Sequence, residues 1–213
     1  MEQKNDRIEK YLEGFARFKQ KYYTEEPELF DKLKKGQSPD ALVITCSDSR
    51  IDPLFLTEAK PGDLFVVRNI ASIAPPYSDE EKSCVVMSAS RYAVMHLNVP
   101  NIIVLGHSSC GGIGALVSMK SGDKVDPAIA SWVKNIWEAL AEAMEMNDEL
   151  EDLQRVTEQR AVVCSMRNLL TYPWVKEKVE NGQLQIHGWY FDMEDGSLHA
   201  YDKTVDRFDK VGS

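Results

Sequence analysis

Cys46, Asp48 and Arg50 alternate with serines in the stretch VITCSDSR, residues 43–50. The stretch begins with β-branched and apolar residues, which favour a buried strand. A thiol, a carboxylate and a guanidinium therefore leave the end of a strand together. Because ligands in parallel α/β sheets lie beyond the carboxyl ends of the strands, this strand end is a candidate functional site.

A second apolar run, IIVLGHSSCGG at residues 102–112, delivers His107 and Cys110 in the same way. If the two strands are neighbours, Cys46, His107 and Cys110 converge at one point. Two thiolates and an imidazole are ligands that zinc favours. Neither motif contains a fourth cysteine or histidine, and an open coordination position is typical of catalytic rather than structural zinc. Asp48 is then either an acid beside the metal or an alternative fourth ligand.

Strands and helices alternate along most of the chain, which predicts an α/β fold with a mostly parallel central sheet flanked by helices. The predicted strands are ALVIT, PGDLFVVRN, NIIVLGH and an antiparallel C-terminal edge around an Asp195-Gly196 turn. The predicted helices cover residues 5–23, 79–98, 126–146 and 148–170, with another opening at CGGIGALVSM. We assign residues 1–34 to an N-terminal helical arm and residues 35–213 to the α/β zinc domain.

Composition narrows the functional classes. The chain has 213 residues, 43% of them hydrophobic and 28% charged, with a net charge of −9. The negative charge argues against nucleic-acid binding, which needs clustered lysine and arginine. No apolar stretch reaches the length of a membrane span and the N-terminus does not read as a signal peptide, so we expect a cytoplasmic protein without a membrane partner. In that compartment four cysteines are better candidates for metal binding or catalysis than for disulfides.

The two motifs together resemble those of the β-class carbonic anhydrases. CSDSR, GDLFVVRN and GHSSCGG occur in the family's order, and so do GQSP, NLLTYPWV and GWYFDMEDGSL, so that the resemblance covers roughly residues 34–200. It implies a Zn²⁺ enzyme that reversibly hydrates carbon dioxide to bicarbonate and a proton by attack of zinc-bound hydroxide. It also implies a homodimer or homotetramer in which the arm wraps a partner subunit and the active site lies near the dimer interface.

The resemblance assigns roles residue by residue. Cys46, His107 and Cys110 match the zinc ligands, and Asp48 and Arg50 match a catalytic pair in which the arginine holds the aspartate beside the metal-bound hydroxide. Four further residues match substrate-binding positions: Gln37, the backbone of Gly111, and Phe65 and Tyr92, the last two across the dimer interface.

Three positions depart from family patterns. Val43 stands where a subtype with a metal-capping aspartate has tryptophan, so we expect the constitutively open form. Ser72 replaces the usual asparagine and Arg91 the usual glutamate. Two alternatives stay open: a carbonyl sulfide or carbon disulfide hydrolase on the same scaffold, and a non-enzymatic zinc-stabilised protein. The presence of Asp48, Arg50 and Gln37 argues against the last, because a structural zinc does not need them.

Overall fold

Six strands form the central sheet in the computed structural model, which describes residues 6–79, 84–146 and 150–212. Their order across the sheet is β2-β1-β3-β4-β5-β6. The first four strands in this order, β2, β1, β3 and β4, are parallel to one another, and β5 and β6 add an antiparallel edge. The strands are β1 (Ala41–Cys46), β2 (Leu64–Asn69), β3 (Asn101–His107), β4 (Gln185–Asp192), β5 (Ser197–Asp202) and β6 (Arg207–Lys210). The predicted α/β class is confirmed, although β6 was missed because its four residues are mostly charged.

The helices that accompany the sheet are α3 (Pro53–Thr57), α4 (Val85–Met95), α5 (Gly111–Lys120), α6 (Pro127–Val133), α7 (Trp137–Met146), α8 (Leu150–Leu169) and α9 (Pro173–Glu180). One continuous helix over 126–146 was a wrong prediction, because a 3₁₀ turn at Lys134–Ile136 separates α6 from α7. The helix predicted over 79–98 is also shorter, starting at Val85 and ending at Met95. Parts of the predicted helices at 80–83 and 148–149 lie outside the described residues.

Both faces of the sheet are buried. Alternate residues of β1 and β3 contribute to two separate hydrophobic clusters, since successive side chains of a strand point to opposite faces. α5 and α7 cover the face that carries Val43 and Leu105, and α4 and α9 cover the face that carries Leu42 and Val104. α8 contributes side chains to both clusters. Burial on both sides explains why these strands read as continuous apolar runs in the sequence.

Residues Met1–Ser38 form a separate unit from Pro39–Ser213. The N-terminal unit contains α1 (Asp6–Gln20), a π-helical segment and α2 (Glu28–Leu33). The helix predicted over 5–23 therefore changes geometry after Gln20. Five of the unit's aromatic side chains contact one another in stacked, tilted and edge-to-face pairs: Phe15, Phe18, Tyr22, Tyr23 and Phe30. The assignment of an arm and a zinc domain stays a prediction. No helix in the described parts of the chain combines the length and apolarity needed to cross a membrane.

Close packing of α8 on β3 depends on a glycine. A Cβ atom added at Gly106 would lie 2.5 Å from Cγ2 of Val162 and 3.8 Å from the backbone oxygen of Glu158. We expect Gly106→Ala to lower the free energy of unfolding by about 1–3 kcal/mol, because the helix must move to relieve the overlap. Gly14→Ala in α1 is the control, since only Arg17 lies near its added Cβ, at 3.9 Å. Equal urea midpoints for Gly106→Ala and the unsubstituted protein would contradict this packing argument.

Candidate active site

The topology brings three potential metal-binding side chains together. β1 and β3 are parallel neighbours with Thr45 opposite Leu105, so that Cys46 and His107 end adjacent strands. Cys110 follows β3 as the N-cap residue of α5. The three side chains are buried, and their potential ligand atoms all lie within 4.8 Å of one another. The two sulfur atoms are 3.9 Å apart.

His107 presents one ring nitrogen to this cluster. Its Nδ1 lies 2.9 Å from the carbonyl oxygen of Ser108 and, as the donor there, leaves Nε2 without a proton. Nε2 is buried and has no hydrogen-bond partner among the described residues. A buried nitrogen without a partner costs about 1–3 kcal/mol. Coordination of a metal ion would satisfy this nitrogen, and a carbonyl that fixes the imidazole tautomer is a common feature of histidine ligands.

The two sulfurs behave as a thiolate–thiol pair. The Cys110 thiol donates a hydrogen bond that lowers the pKa of Cys46 to about 4 despite its burial, and the same contact raises the pKa of Cys110. Burial works against a charged imidazole, yet the neighbouring Cys46 thiolate raises the pKa of His107. The site therefore brings two sulfurs and one imidazole nitrogen together. This donor set fits zinc.

Asp48 and Arg50 form a bidentate ion pair at the rim of the cluster. Asp48 Oδ1 accepts hydrogen bonds from the backbone N–H and Nε of Arg50 at 2.9 and 3.0 Å, and Oδ2 accepts from Nη2 at 2.7 Å. These contacts hold the pKa of Asp48 well below its usual range. The same Nη2 donates to the carbonyl oxygen of Ser109 at 3.1 Å, which links the two motif loops. Asp48 stands outside the group of three potential ligands.

Arg68 supports the first motif loop from β2. Its Nε donates to the carbonyl oxygen of Cys46 at 3.0 Å, and its Nη2 donates to those of Asp48 and Ile51 at 2.7 and 2.5 Å. This role was not predicted from the sequence, although an arginine at the end of a strand beside the motif was a usable signal. Because it binds three carbonyl groups at once, Arg68 fixes the backbone that carries the Asp48 carboxylate.

Glu158 is the second residue that sequence reasoning missed. It lies on α8 with 3% exposure, and its Oε1 accepts a hydrogen bond from the backbone N–H of Cys110 at 2.9 Å. Burial raises the pKa of this carboxyl. No sequence signal distinguished Glu158, because α8 is rich in polar residues and carries two other acidic residues, Glu151 and Asp152.

The structure locates the predicted substrate-binding residues without testing their roles. Gly111 is the first residue of α5, is exposed, and has open space where a Cβ would lie. Phe65 and Tyr92 stack on each other with ring centroids 5.8 Å apart. Gln37 belongs to the N-terminal unit. All four roles stay predictions.

The departures from the family pattern have visible local partners. Ser72 has a positive φ of 57° and donates a hydrogen bond to the carbonyl oxygen of Leu105 at 2.8 Å. Arg91 places its guanidinium 5.0 Å from the ring centroid of Trp174. Among the contacts of the described residues, neither side chain bonds to Cys46, His107 or Cys110.

Similarity to known proteins agrees with this geometry. The family model described as carbonic anhydrase matches residues 41–198. A carbonic anhydrase from Pseudomonas aeruginosa is 39% identical over 199 residues, covering 92% of this chain and 89% of that protein. The structure of the β-carbonic anhydrase CcaA superposes with a TM-score of 0.89 at 33% identity, over 96% of this chain and 99% of that one. Tetrameric β-carbonic anhydrases from Sordaria macrospora give a TM-score of 0.76 at 28% identity, with 98% of both chains covered. This chain therefore belongs to the β-class carbonic anhydrases and is a carbonate dehydratase.

Proposed function

We propose that this chain reversibly hydrates carbon dioxide to bicarbonate and a proton at a zinc ion held by Cys46, His107 and Cys110. The observation that carries the proposal is the buried Nε2 of His107, which lies beside two cysteine sulfurs and has no hydrogen-bond partner in the described part of the chain. When bound, zinc lowers the pKa of water toward neutrality and so supplies a nucleophile for carbon dioxide. Three protein ligands leave one coordination position for that water.

We propose that Asp48 accepts a hydrogen bond from the nucleophile. Both of its oxygens receive hydrogen bonds from Arg50, so the carboxylate stays ionised and keeps one orientation. An ionised carboxylate is a hydrogen-bond acceptor only, so it can hold the proton of the nucleophile and direct a lone pair toward the carbon of the substrate. Arg50 acts by fixing Asp48, and its bond to Ser109 keeps the pair aligned with the loop that carries Cys110.

The substrate and assembly assignments extend the same proposal. We assign carbon dioxide and bicarbonate binding to Gln37, to the backbone of Gly111, and to Phe65 and Tyr92 acting across a dimer interface. The Sordaria macrospora relatives are described as tetrameric, which supports a homodimer or homotetramer for this chain. The cysteines in the described residues are free rather than paired, which supports a cytoplasmic location.

Stopped-flow hydration of carbon dioxide by the zinc-loaded protein, from about pH 6.5 to 9, tests the proposal because this range brackets the lowered pKa of metal-bound water. We expect turnover already near neutral pH, since Asp48 is paired with Arg50 and the open form is available. Activity confined to alkaline pH would contradict the open form. Zinc-loaded protein that hydrolyses carbonyl sulfide or carbon disulfide but does not hydrate carbon dioxide would overturn the proposed substrate.

A further inference from the structure

A buried carboxylate lies directly behind the proposed zinc ligand Cys110. Glu158 uses both of its oxygens: Oε1 accepts from the backbone N–H of Cys110 at 2.9 Å and from Nε2 of Gln154 at 3.0 Å, and Oε2 accepts from the hydroxyl of Tyr190 at 2.8 Å. Nε2 of Gln154 also lies 3.4 Å from the carbonyl oxygen of Cys110. Three hydrogen bonds therefore fix one rotamer of Glu158 and, through it, the peptide that begins α5.

The donors come from rigid parts of the fold. Tyr190 is fully buried on β4, where it pairs with Gly106 of β3. Gln154 precedes Glu158 by one turn on α8. Glu158 therefore connects α8 and β4 to the segment from the end of β3 to the start of α5, which supplies two of the three proposed ligands. A shift of this carboxylate would move Cys110 relative to His107.

Packing does not explain an acid at this position. A buried carboxylate has a high desolvation cost, and a leucine would fill similar space at the junction of α8 and the sheet. No lysine or arginine forms an ion pair with Glu158 in the ranges that the structure describes. The neighbouring site that would hold a cation is the cysteine–histidine cluster itself, one peptide away.

We propose that Glu158, held by Tyr190 and Gln154, is a positioning residue that orients Cys110 toward zinc. The inference rests on the proposed zinc site and adds a requirement that the three ligands alone do not contain. Removing a group that orients a metal ligand typically weakens metal affinity by about 10–100-fold.

Three variants separate the contributions of charge and hydrogen bonding. Glu158→Gln retains an oxygen for the Cys110 N–H but loses the charge and the good acceptor for Tyr190. Glu158→Leu removes every polar contact, and Tyr190→Phe removes one donor while the carboxylate stays. Glu142→Gln is the matched control. Glu142, on α7, accepts a hydrogen bond at 2.7 Å from Nε of Arg160, which lies on α8 as Glu158 does. No hydrogen bond joins Glu142 to Cys110 in the described residues.

Zinc affinity by competition with a chromophoric chelator is the primary measurement, and the absorption of the cobalt-substituted proteins is the second. We expect zinc affinity to fall by about 10-fold in Glu158→Gln and Tyr190→Phe and about 100-fold in Glu158→Leu. The thiolate-to-cobalt charge-transfer band should shift in the Glu158 variants. Glu142→Gln should lower the unfolding temperature while leaving zinc affinity and the cobalt spectrum unchanged.

The outcomes distinguish this inference from the proposed function. Wild-type zinc affinity and an unchanged cobalt spectrum in folded Glu158→Gln and Tyr190→Phe would overturn the positioning role, even if Glu158→Leu fails to fold. An equal loss of zinc affinity in Glu142→Gln would also overturn it, because the effect would then follow stability alone. Failure of the unsubstituted protein to bind zinc would instead overturn the proposed function.

Discussion

His107→Ala is expected to lower zinc affinity by about 1,000-fold and to reduce carbon dioxide hydration to the level that residual zinc allows. The magnitude follows from removing one of three protein ligands from a site in which zinc binding contributes roughly 10–16 kcal/mol. The buried Nε2, which has no hydrogen-bond partner in the described part of the chain, identifies this ring as the neutral donor of the cluster. Zinc content after dialysis against a chelator, together with stopped-flow hydration rates, measures both effects.

His187→Ala is the matched control for this substitution. His187 lies on β4, and its Nε2 is 3.0 Å from Oδ1 of Asn101, which begins the strand that His107 ends. The control therefore removes a half-buried imidazole from the opposite end of the same sheet region. It should retain zinc and activity. Full zinc occupancy in His107→Ala under the same dialysis would exclude this histidine as a ligand.

Asp48→Asn is expected to keep zinc and to lower kcat/KM for hydration by about 10²–10⁴-fold, the range for losing a group that accepts a proton or orients the reacting atoms. Asparagine preserves the volume and one acceptor for Arg50, but its amide nitrogen faces the arginine as a second donor. The variant therefore has a neutral amide where the enzyme has an anionic acceptor. Zinc content and hydration rates on the same preparation separate loss of metal from loss of turnover.

Asp126→Asn provides the same chemical change away from the motif loops. Asp126 is the N-cap of α6 and accepts a hydrogen bond from the backbone N–H of Ala128, a role that asparagine also fills well. Asp126 is exposed, so this control should match the unsubstituted enzyme in zinc content and rate. Wild-type turnover in Asp48→Asn, or in the more drastic Asp48→Ala, would contradict the proposal that Asp48 holds the proton of the nucleophile.

The sequence contained enough information for the sheet and for the metal-binding cluster. Buried parallel strands are apolar throughout, so VITC and IIVLGH were visible as strands, and the rule for strand ends then predicted that Cys46, His107 and Cys110 would meet. Residue types were sufficient to predict the metal-binding cluster, because few kinds of side chain bind zinc. The break between α6 and α7 was not predictable from periodicity, because Lys134–Ile136 continues the apolar spacing of both helices.

The supporting contacts were much harder to predict. Arg68 acts through backbone carbonyl groups, and a carbonyl group leaves no mark in the sequence. Glu158 lies 48 positions from its partner Cys110, so the pair becomes visible only when α8 is packed on the sheet. Residues that bind the metal or substrate are recognisable by type, whereas residues that hold them in place depend on distances between elements.

The position of α8 has a consequence for how the protein would lose the proposed zinc ion. Because this helix contributes to the hydrophobic clusters on both faces and also carries Glu158, it cannot detach without opening both clusters together. Local fluctuations that leave the core intact would therefore keep the hydrogen bond between Glu158 and Cys110. Zinc release that requires Glu158 to leave Cys110 would then occur together with cooperative unfolding. Bound zinc would therefore stabilise the whole α/β unit by mass action.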